Sequence, residues 1–311
     1  MKVLGLSPGT KDGCNDSLVK EALMGAQEAG ADIEFIRLLD LDIKHCTGCI
    51  HCCMSLFAGK GGGCVLKDDF DWLLDKILDA DGVILSSPIF EKGAAGISRT
   101  LCDRFGPRVE RGNNIMGTKI SIEKGGIPPD PRLLNDKVIS FMAVGGTQWG
   151  TRVEIDHAMI ACMPVWTIIE NIRFEWSKNI IVEDEKIAKA HRLGRNLAEA
   201  AKDISNAKYA GEQGVCPHCH SKEFYLIPDS TCAICNHCGI EGEISIENGK
   251  YVFKFDESWL AKAHNTIPGK MIHFDDVTRI EFELLEVMKT EKYKERVKKY
   301  KEFISATMPD S

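Results

Sequence analysis

No stretch of this chain stays apolar for the roughly 20 residues a helix needs to cross a bilayer. The longest apolar runs, near 82–86 and 138–145, are strand-sized. The opening residues meet a Ser-Pro-Gly turn at positions 7–9, too soon for a secretory signal, so a cytoplasmic protein without a membrane segment is expected. Positive charge is also scarce: 39 Lys and Arg against 46 Asp and Glu leave a net charge of -7. Such a balance argues against a protein held mainly by phosphate backbones, and nucleic acid is not an expected partner. The one basic stretch, 289–301, interleaves Glu291 and Glu295 and reads as a solvated helix face. Internal repeats and low-complexity tracts are lacking.

Cysteine, by contrast, is abundant, with thirteen in the chain. Without an export signal, disulfides are the weaker explanation and metal the better one. Nine of the thirteen fall in two compact groups, whereas Cys14, Cys102, Cys162 and Cys232 are scattered and read as small buried hydrophobes.

Hydrophobic periodicity places strands at 2–7, 33–38, 82–86, 138–144 and 166–174. Helices are expected at 17–29, 69–80, 95–104, 152–162 and 183–204. Five alternations of strand and helix predict an α/β fold with a doubly wound five-stranded parallel sheet of order 2-1-3-4-5 over residues 1–206, its ligand crevice at the carboxyl ends of the strands. Residues 105–136, rich in Gly and Pro without clear periodicity, read as an extended loop or lid. A second unit over 209–256 holds paired cysteines and a strand at 251–255. A charged helical tail, 257–311, follows.

Three loops leave the same edge of that sheet: Ser7 to Ser17, Ser87-Pro88-Ile89-Phe90, and Gly145-Gly146-Thr147. The first opens a helix and offers backbone amides with hydroxyl and amide side chains, which suits a phosphate. Taken alone, it is equally well a loop capped by Asn15 or Asp16. Further features are Cys46-Thr47-Gly48-Cys49-Ile50-His51-Cys52, Cys64, Asp68-Asp69 and Gly96. In this order and spacing the chain resembles the NADPH-dependent FMN reductase family, and within it the iron-sulfur flavoproteins, over about two thirds of its length.

The resemblance implies a flavodoxin-like domain that binds FMN. Ser7, Gly9, Lys11, Asn15 and Ser17 would belong to the phosphate loop, and Pro88, Ile89, Phe90, Lys92, Gly93, Gly145, Gly146 and Thr147 would border the isoalloxazine. It also implies a four-iron four-sulfur cluster on Cys46, Cys49, Cys52 and Cys64, with Cys53 able to stand in for Cys52. No catalytic side chain is assigned, because in such enzymes the flavin itself takes and gives the hydride. Three departures stand out. The family Arg beside the phosphate is Gly9, the loop is two residues longer, and the usual Thr after Asn is Asp16, whose charge would repel a phosphate unless turned away or neutralised. Lys11 could supply the missing positive charge.

Cys216-Pro217-His218-Cys219 and Cys235-Asn236-His237-Cys238 form two C-x-x-C knuckles. Two hairpin turns offering two thiolates each match the tetrahedral sulfur site of zinc, in a closed site that folds a small module. Iron-sulfur ligation that also draws on Cys232 is the alternative. The neighbouring His218, His220 and His237 are expected at the surface. The expected function is electron transfer among a reduced donor, NAD(P)H or a ferredoxin-like carrier, an iron-sulfur cluster, FMN and a small-molecule acceptor, in a homo-oligomer (dimer or tetramer). The alternative is a redox-sensing module whose ribbon engages a protein or nucleic acid.

Overall fold

In a computed structural model describing residues 1–309, the chain divides into two compact units, residues 1–270 and 271 onward. The first unit begins with β1 (Lys2–Ser7), α1 (Cys14–Glu28) and β2 (Asp32–Arg37). It continues through α2 (His51–Phe57), α3 (Phe70–Asp79), β3 (Gly82–Phe90), β4 (Gly93–Ala94), α4 (Gly96–Val109) and α5 (Arg111–Lys124). Strand β5 (Val138–Val144), α6 (Val153–Cys162), β6 (Thr167–Phe174) and α7 (Asp184–Lys202) complete the α/β part. The long strands are all parallel in the order β2-β1-β3-β5-β6, and β4 folds back on β3 as a hairpin. This is the expected flavodoxin-like sheet. Strand β5 is buried at every position because helices cover both faces, so its sequence is apolar apart from Ser140 and shows no alternation.

Two cores follow from that layering. On one face, Leu18, Val19 and Ala22 of α1 meet Leu193 and Leu197 of α7 over Val3, Ile84 and Met142. On the other, Phe70 and Ile77 of α3, Phe105 of α4 and Ile160 of α6 pack over Leu4, Leu85 and Phe141.

The segment expected to be a loop, 105–136, is instead largely helical: α4 runs on to Val109, and α5 begins two residues later. The Glu110 carboxylate caps α5, accepting from Asn113 N at 2.6 Å. The packed face of α5 is built from Gly117, Ser121 and buried Asn113 and Asn114. An added Cβ at Gly117 would sit 2.8 Å from Cδ2 of Leu56 on α2, so small and polar residues let the helices approach. A helix that buries such residues shows no apolar period, which is why the sequence read as coil. Residues 131–134 form a short turn fastened by Arg132 to Asp75 and Asp79 of α3.

Strands β7 (Phe224–Leu226), β8 (Cys232–Cys235), β9 (Glu241–Glu247) and β10 (Lys250–Lys254) form an antiparallel sheet in the order β10-β9-β8-β7. It encloses a small core of Ala233, Ile240, Phe253 and the knuckle thiols. The linker before it runs along the edge of the large sheet, where Ala210 N donates to the Ile169 carbonyl of β6 at 2.8 Å. Within the expected helical tail, helix α8 starts at Ile267, ten residues after the tail's first residue, and stops at Met288. Thr290 then caps α9 (Glu291–Phe303) by accepting from Tyr293 N. Among the described residues, no helix is long and apolar enough to cross a membrane.

Candidate functional site

The carboxyl edge of the sheet gathers the loops after β1, β3, β5 and β6. Ser7, Gly9 and Asn15 are buried in the first of these, and Lys11 is exposed. Ser7 Oγ donates to Asp16 Oδ1 at 2.5 Å and also accepts from Gly9 N. Asn15 Oδ1 accepts from Ser86 Oγ at 2.8 Å. Asp16, only 1% exposed, accepts from Asp12 N and has the Arg37 guanidinium 3.9 Å away. The acid that threatened to repel a phosphate is therefore turned inward and met by a cation. Gly13, at the N-cap of α1, provides no side-chain cap, so the first-turn amides of this 15-residue helix keep their capacity for an anion. That donor set fits the FMN phosphate.

The remaining residues singled out by sequence stand around this point. Pro88, Ile89 and Phe90 end β3, and Lys92 and Gly93 turn the β3–β4 hairpin, with Glu91 and Lys92 at positive φ. The hairpin is fastened to the start of α6 by Ala94 N to Asp156 Oδ2 (2.9 Å) and Arg152 N to the Lys92 carbonyl (3.0 Å). Gly145, Gly146 and Thr147 follow β5. Gly145 is tied to the loop after β6 by bonds with Phe174 and Ser177. Gly150 lies beneath the Arg173 side chain, where an added Cβ would come within 2.5 Å of Arg173 Cδ. Arg173 donates to the Gly150 carbonyl at 2.9 Å and is itself held by Glu154 and Glu175.

Sequence reasoning missed three residues here. Trp149 and Trp176 are 61% and 63% exposed on the loops after β5 and β6, matching Phe90 at 63% at the end of β3. Lys92 Nζ lies 5.8 Å from the centre of the Trp149 ring. The Lys178 carbonyl accepts from Cys14 Sγ at the start of α1, and its side chain packs against Gly146. A Gly-Gly-Thr-Gln-Trp-Gly stretch directly after a buried strand was the available signal for Trp149. Nothing local marked the other two.

The cysteine loop leaves the same edge after β2. Cys46 and Cys49 are exposed on irregular backbone, Cys52 and Cys53 are buried in α2, and Cys64 is half-buried. The cysteine motif is thus partly helical, with α2 carrying Cys52 and Cys53. The Cys52 thiol is pulled down to about 6, chiefly by its bond with Cys53 and against the effect of burial. Arg104 joins the loop to α4, pairing with buried Asp68 at 2.5 Å and lying 3.7 Å from Cys64 Sγ. Burial of Asp68 opposes ionisation, but Arg104 and the amides of Lys44 and Phe70 outweigh it and hold the carboxyl below its usual range.

Among the described residues, the one set of three or more ligand atoms close enough to share an ion is the ribbon quartet. The thiols of Cys216, Cys219, Cys235 and Cys238 all lie within 4.8 Å of one another. The Cys216–Cys238 and Cys219–Cys235 pairs are 3.8 and 3.4 Å apart. A metal with sulfur at about 2.3 Å in a tetrahedron spaces its ligands by about 3.8 Å, so the quartet fits a single ion. One expectation fails beside it: His237 is 5% exposed, with Nε2 unpartnered, because the second knuckle folds it inward.

The sequence model of the NADPH-dependent FMN reductase family matches residues 1–172, more than half the chain. A solved flavone reductase is 52% identical, covers 100% of both chains and superposes with a TM-score of 0.90. A flavone synthase of Aspergillus candidus is 26% identical over 266 residues, covering 81% of this chain and 80% of its own. An iron-sulfur flavoprotein of Methanocaldococcus jannaschii is 38% identical over 108 residues, covering 34% of this chain and 53% of its own, so that match spans about half of the relative. With the phosphate loop, the β3–β4 hairpin and the Gly-Gly turn on one sheet edge, the chain belongs to the NADPH-dependent FMN reductase family and is an FMN-dependent oxidoreductase.

Proposed function

We propose that this chain reduces a planar conjugated ketone of the flavone class, drawing electrons from a nicotinamide or a one-electron carrier. The observation that carries the reading is three exposed aromatic side chains, Phe90, Trp149 and Trp176, at the carboxyl ends of β3, β5 and β6, the sheet edge at which the uncapped α1 begins. It is supported by whole-length similarity to a protein described as a flavone reductase. The α1 amides, with Lys178 and Lys11 as nearby cations, hold the phosphate of FMN. Residues 88–93 and 145–147 border its ring. When bound, FMN supplies the centre that accepts and delivers hydride. Trp149 offers a stacking face for a flat substrate, and Lys92 places positive charge beside that face, suited to a carbonyl or phenolate oxygen.

In this reading the ribbon quartet holds zinc as a closed structural site, since all four positions are taken by thiolates. Cys46, Cys49, Cys52 and Cys64 hold an iron-sulfur cluster. A cluster spaces its thiolates more widely than a single ion does, and the irregular backbone of Cys46 and Cys49 leaves them free to meet it. Such a cluster would link a one-electron donor to the two-electron chemistry of the flavin.

The deciding experiment is anaerobic turnover. Flavin released by denaturation should be FMN, and NADH, NADPH or reduced ferredoxin should drive loss of flavone absorbance at a steady rate. Recovery of FAD alone would overturn the cofactor assignment. Bound FMN without steady turnover, but with altered partner binding on reduction, would favour the sensor reading.

A further inference from the structure

The ribbon and the amino end of β6 border a cleft of about 490 Å³, within the range of small-molecule sites. It lies in the first unit, on the opposite edge of the sheet from the flavin loops. Those loops leave the carboxyl ends of the strands, whereas Val165, Trp166 and Thr167 of the cleft lead into β6. The eight residues of β6 separate the two edges by roughly 25 Å. Part of the lining is apolar, from Val165, Trp166 and Ile168. Val165 holds φ at +60°, a left-handed conformation that a β-branched residue seldom adopts and that recurs at ligand clamps. The Tyr209 ring stacks on His220 with centroids 4.5 Å apart, and its hydroxyl donates to the Glu212 carbonyl at 3.1 Å, so two flat rings are fixed at the cleft.

The polar part of the lining is rich in N–H groups. His237 belongs to it with Nε2 buried and unpartnered, and Nδ1 of His220 is in the same condition. Buried polar atoms are normally hydrogen-bonded, and a neutral imidazole can donate from either nitrogen. His218 Nε2 donates to Asn265 Oδ1 at 2.9 Å, which orients the Asn265 amide with its NH2 group as a further donor. Lys208 adds an exposed ammonium. Among the described residues, no Asp or Glu lines the cleft, although the chain as a whole carries a net charge of -7. Several donors and a cation without a carboxylate select a group that only accepts and is negative, which a ligand carboxylate is. The rings beside them select a flat aromatic body. We propose that this cleft is a second ligand site, separate from the flavin, and that it binds an aromatic carboxylate.

Calorimetric titration of the full-length protein, with its flavin and metal bound, tests this with benzoate as the probe. Benzoate should bind at one equivalent per chain without shifting the visible flavin spectrum. Benzamide keeps the ring but lacks the charge, and acetate keeps the charge but lacks the ring. Each should bind roughly tenfold more weakly than benzoate. Lys208→Glu should also weaken benzoate binding by roughly tenfold, with flavin and metal content at wild-type levels because Lys208 is exposed. His237→Leu should do the same, and His237→Gln should restore binding, since the Gln amide donates from a similar reach. If His237→Leu loses its metal, the Lys208→Glu result still decides. A wild type that does not bind benzoate, equal binding of benzamide, an unaffected Lys208→Glu variant, or a flavin spectrum that shifts on adding benzoate would overturn the proposal.

Discussion

Ser7 Oγ donates to Asp16 Oδ1 at 2.5 Å, and through this contact the acidic residue of the phosphate loop becomes part of its scaffold. Replacing Asp16 with Ala removes a negative charge near the phosphate, but it also strands the Ser7 hydroxyl and the Asp12 amide. Losing buried partners costs about 1–3 kcal/mol, and we expect that loss to dominate, weakening FMN binding by about tenfold or more. Fluorescence titration of apoprotein reads the sign. Tighter binding in the variant would mean that charge repulsion outweighs the scaffold.

Trp149 is expected to act on the substrate more than on the cofactor. Trp149→Ala should raise KM for a flavone roughly three- to tenfold, the loss of one aromatic stacking contact, while FMN content and NADPH oxidation with a small quinone change little. An unchanged KM for the flavone would remove Trp149 from the substrate platform.

The ribbon thiols give a metal prediction independent of flavin. Cys216→Ser or Cys238→Ser should cost about one zinc per chain and open residues beyond 209 to proteolysis. Flavin absorbance should survive, since the phosphate loop and the rim lie on other elements. Loss of flavin in the same variants would place the ribbon in the active site.

For the cysteine loop, anaerobic purification should yield about four irons per chain with a broad visible absorption that bleaches on reduction. Cys49→Ala should lose that iron, keep FMN, and slow one-electron transfer more than hydride transfer. Wild-type protein that stays iron-free after anaerobic reconstitution would leave an ordinary flavin reductase.

His157 predicts an acid limb in the stability curve. The imidazole is fully buried, stacked on Phe141 at 5.0 Å, and burial pushes it down to about 4 against the opposing bond with Asn171. A base lowered in the folded state binds protons better when unfolded. Its contribution is therefore present above about pH 6.5 and is lost as pH falls toward 4, amounting to about 3 kcal/mol over that window. Urea melts at pH 7 and pH 5 should show a smaller difference in His157→Gln than in the wild type. Equal differences would assign the acid limb to other groups.

Much of this architecture was legible because it rests on short-range pattern. The strands at 2–7, 82–86 and 138–144 are mostly apolar without alternation, since a parallel sheet covered on both faces leaves no polar side to impose one. The knuckles at 216–219 and 235–238 were equally plain, because four thiolates around one ion demand that spacing in any sequence. The loops after β1, β3 and β5 could be placed on one edge because strand order and direction determine where a loop emerges.

What escaped depended on contacts between distant residues. Helix α5 was hidden because its buried face is Gly117, Ser121 and two asparagines, which fit against Leu56 without an apolar period. The inward turn of Asp16 required Ser7 and Arg37 to be brought beside it from the ends of two strands. Sequence by itself determined the order of strands and helices, the edge on which the loops meet and the metal quartet, because periodicity and ligand spacing act over a few residues. The tertiary structure alone decided which side chains form the rim and which charges are neutralised. Trp149 and Trp176 come to the same sheet edge as the proposed flavin loops only after β5 and β6 pair, with Arg173 fastened to Gly150, and no local pattern encodes a pairing that far away in the chain.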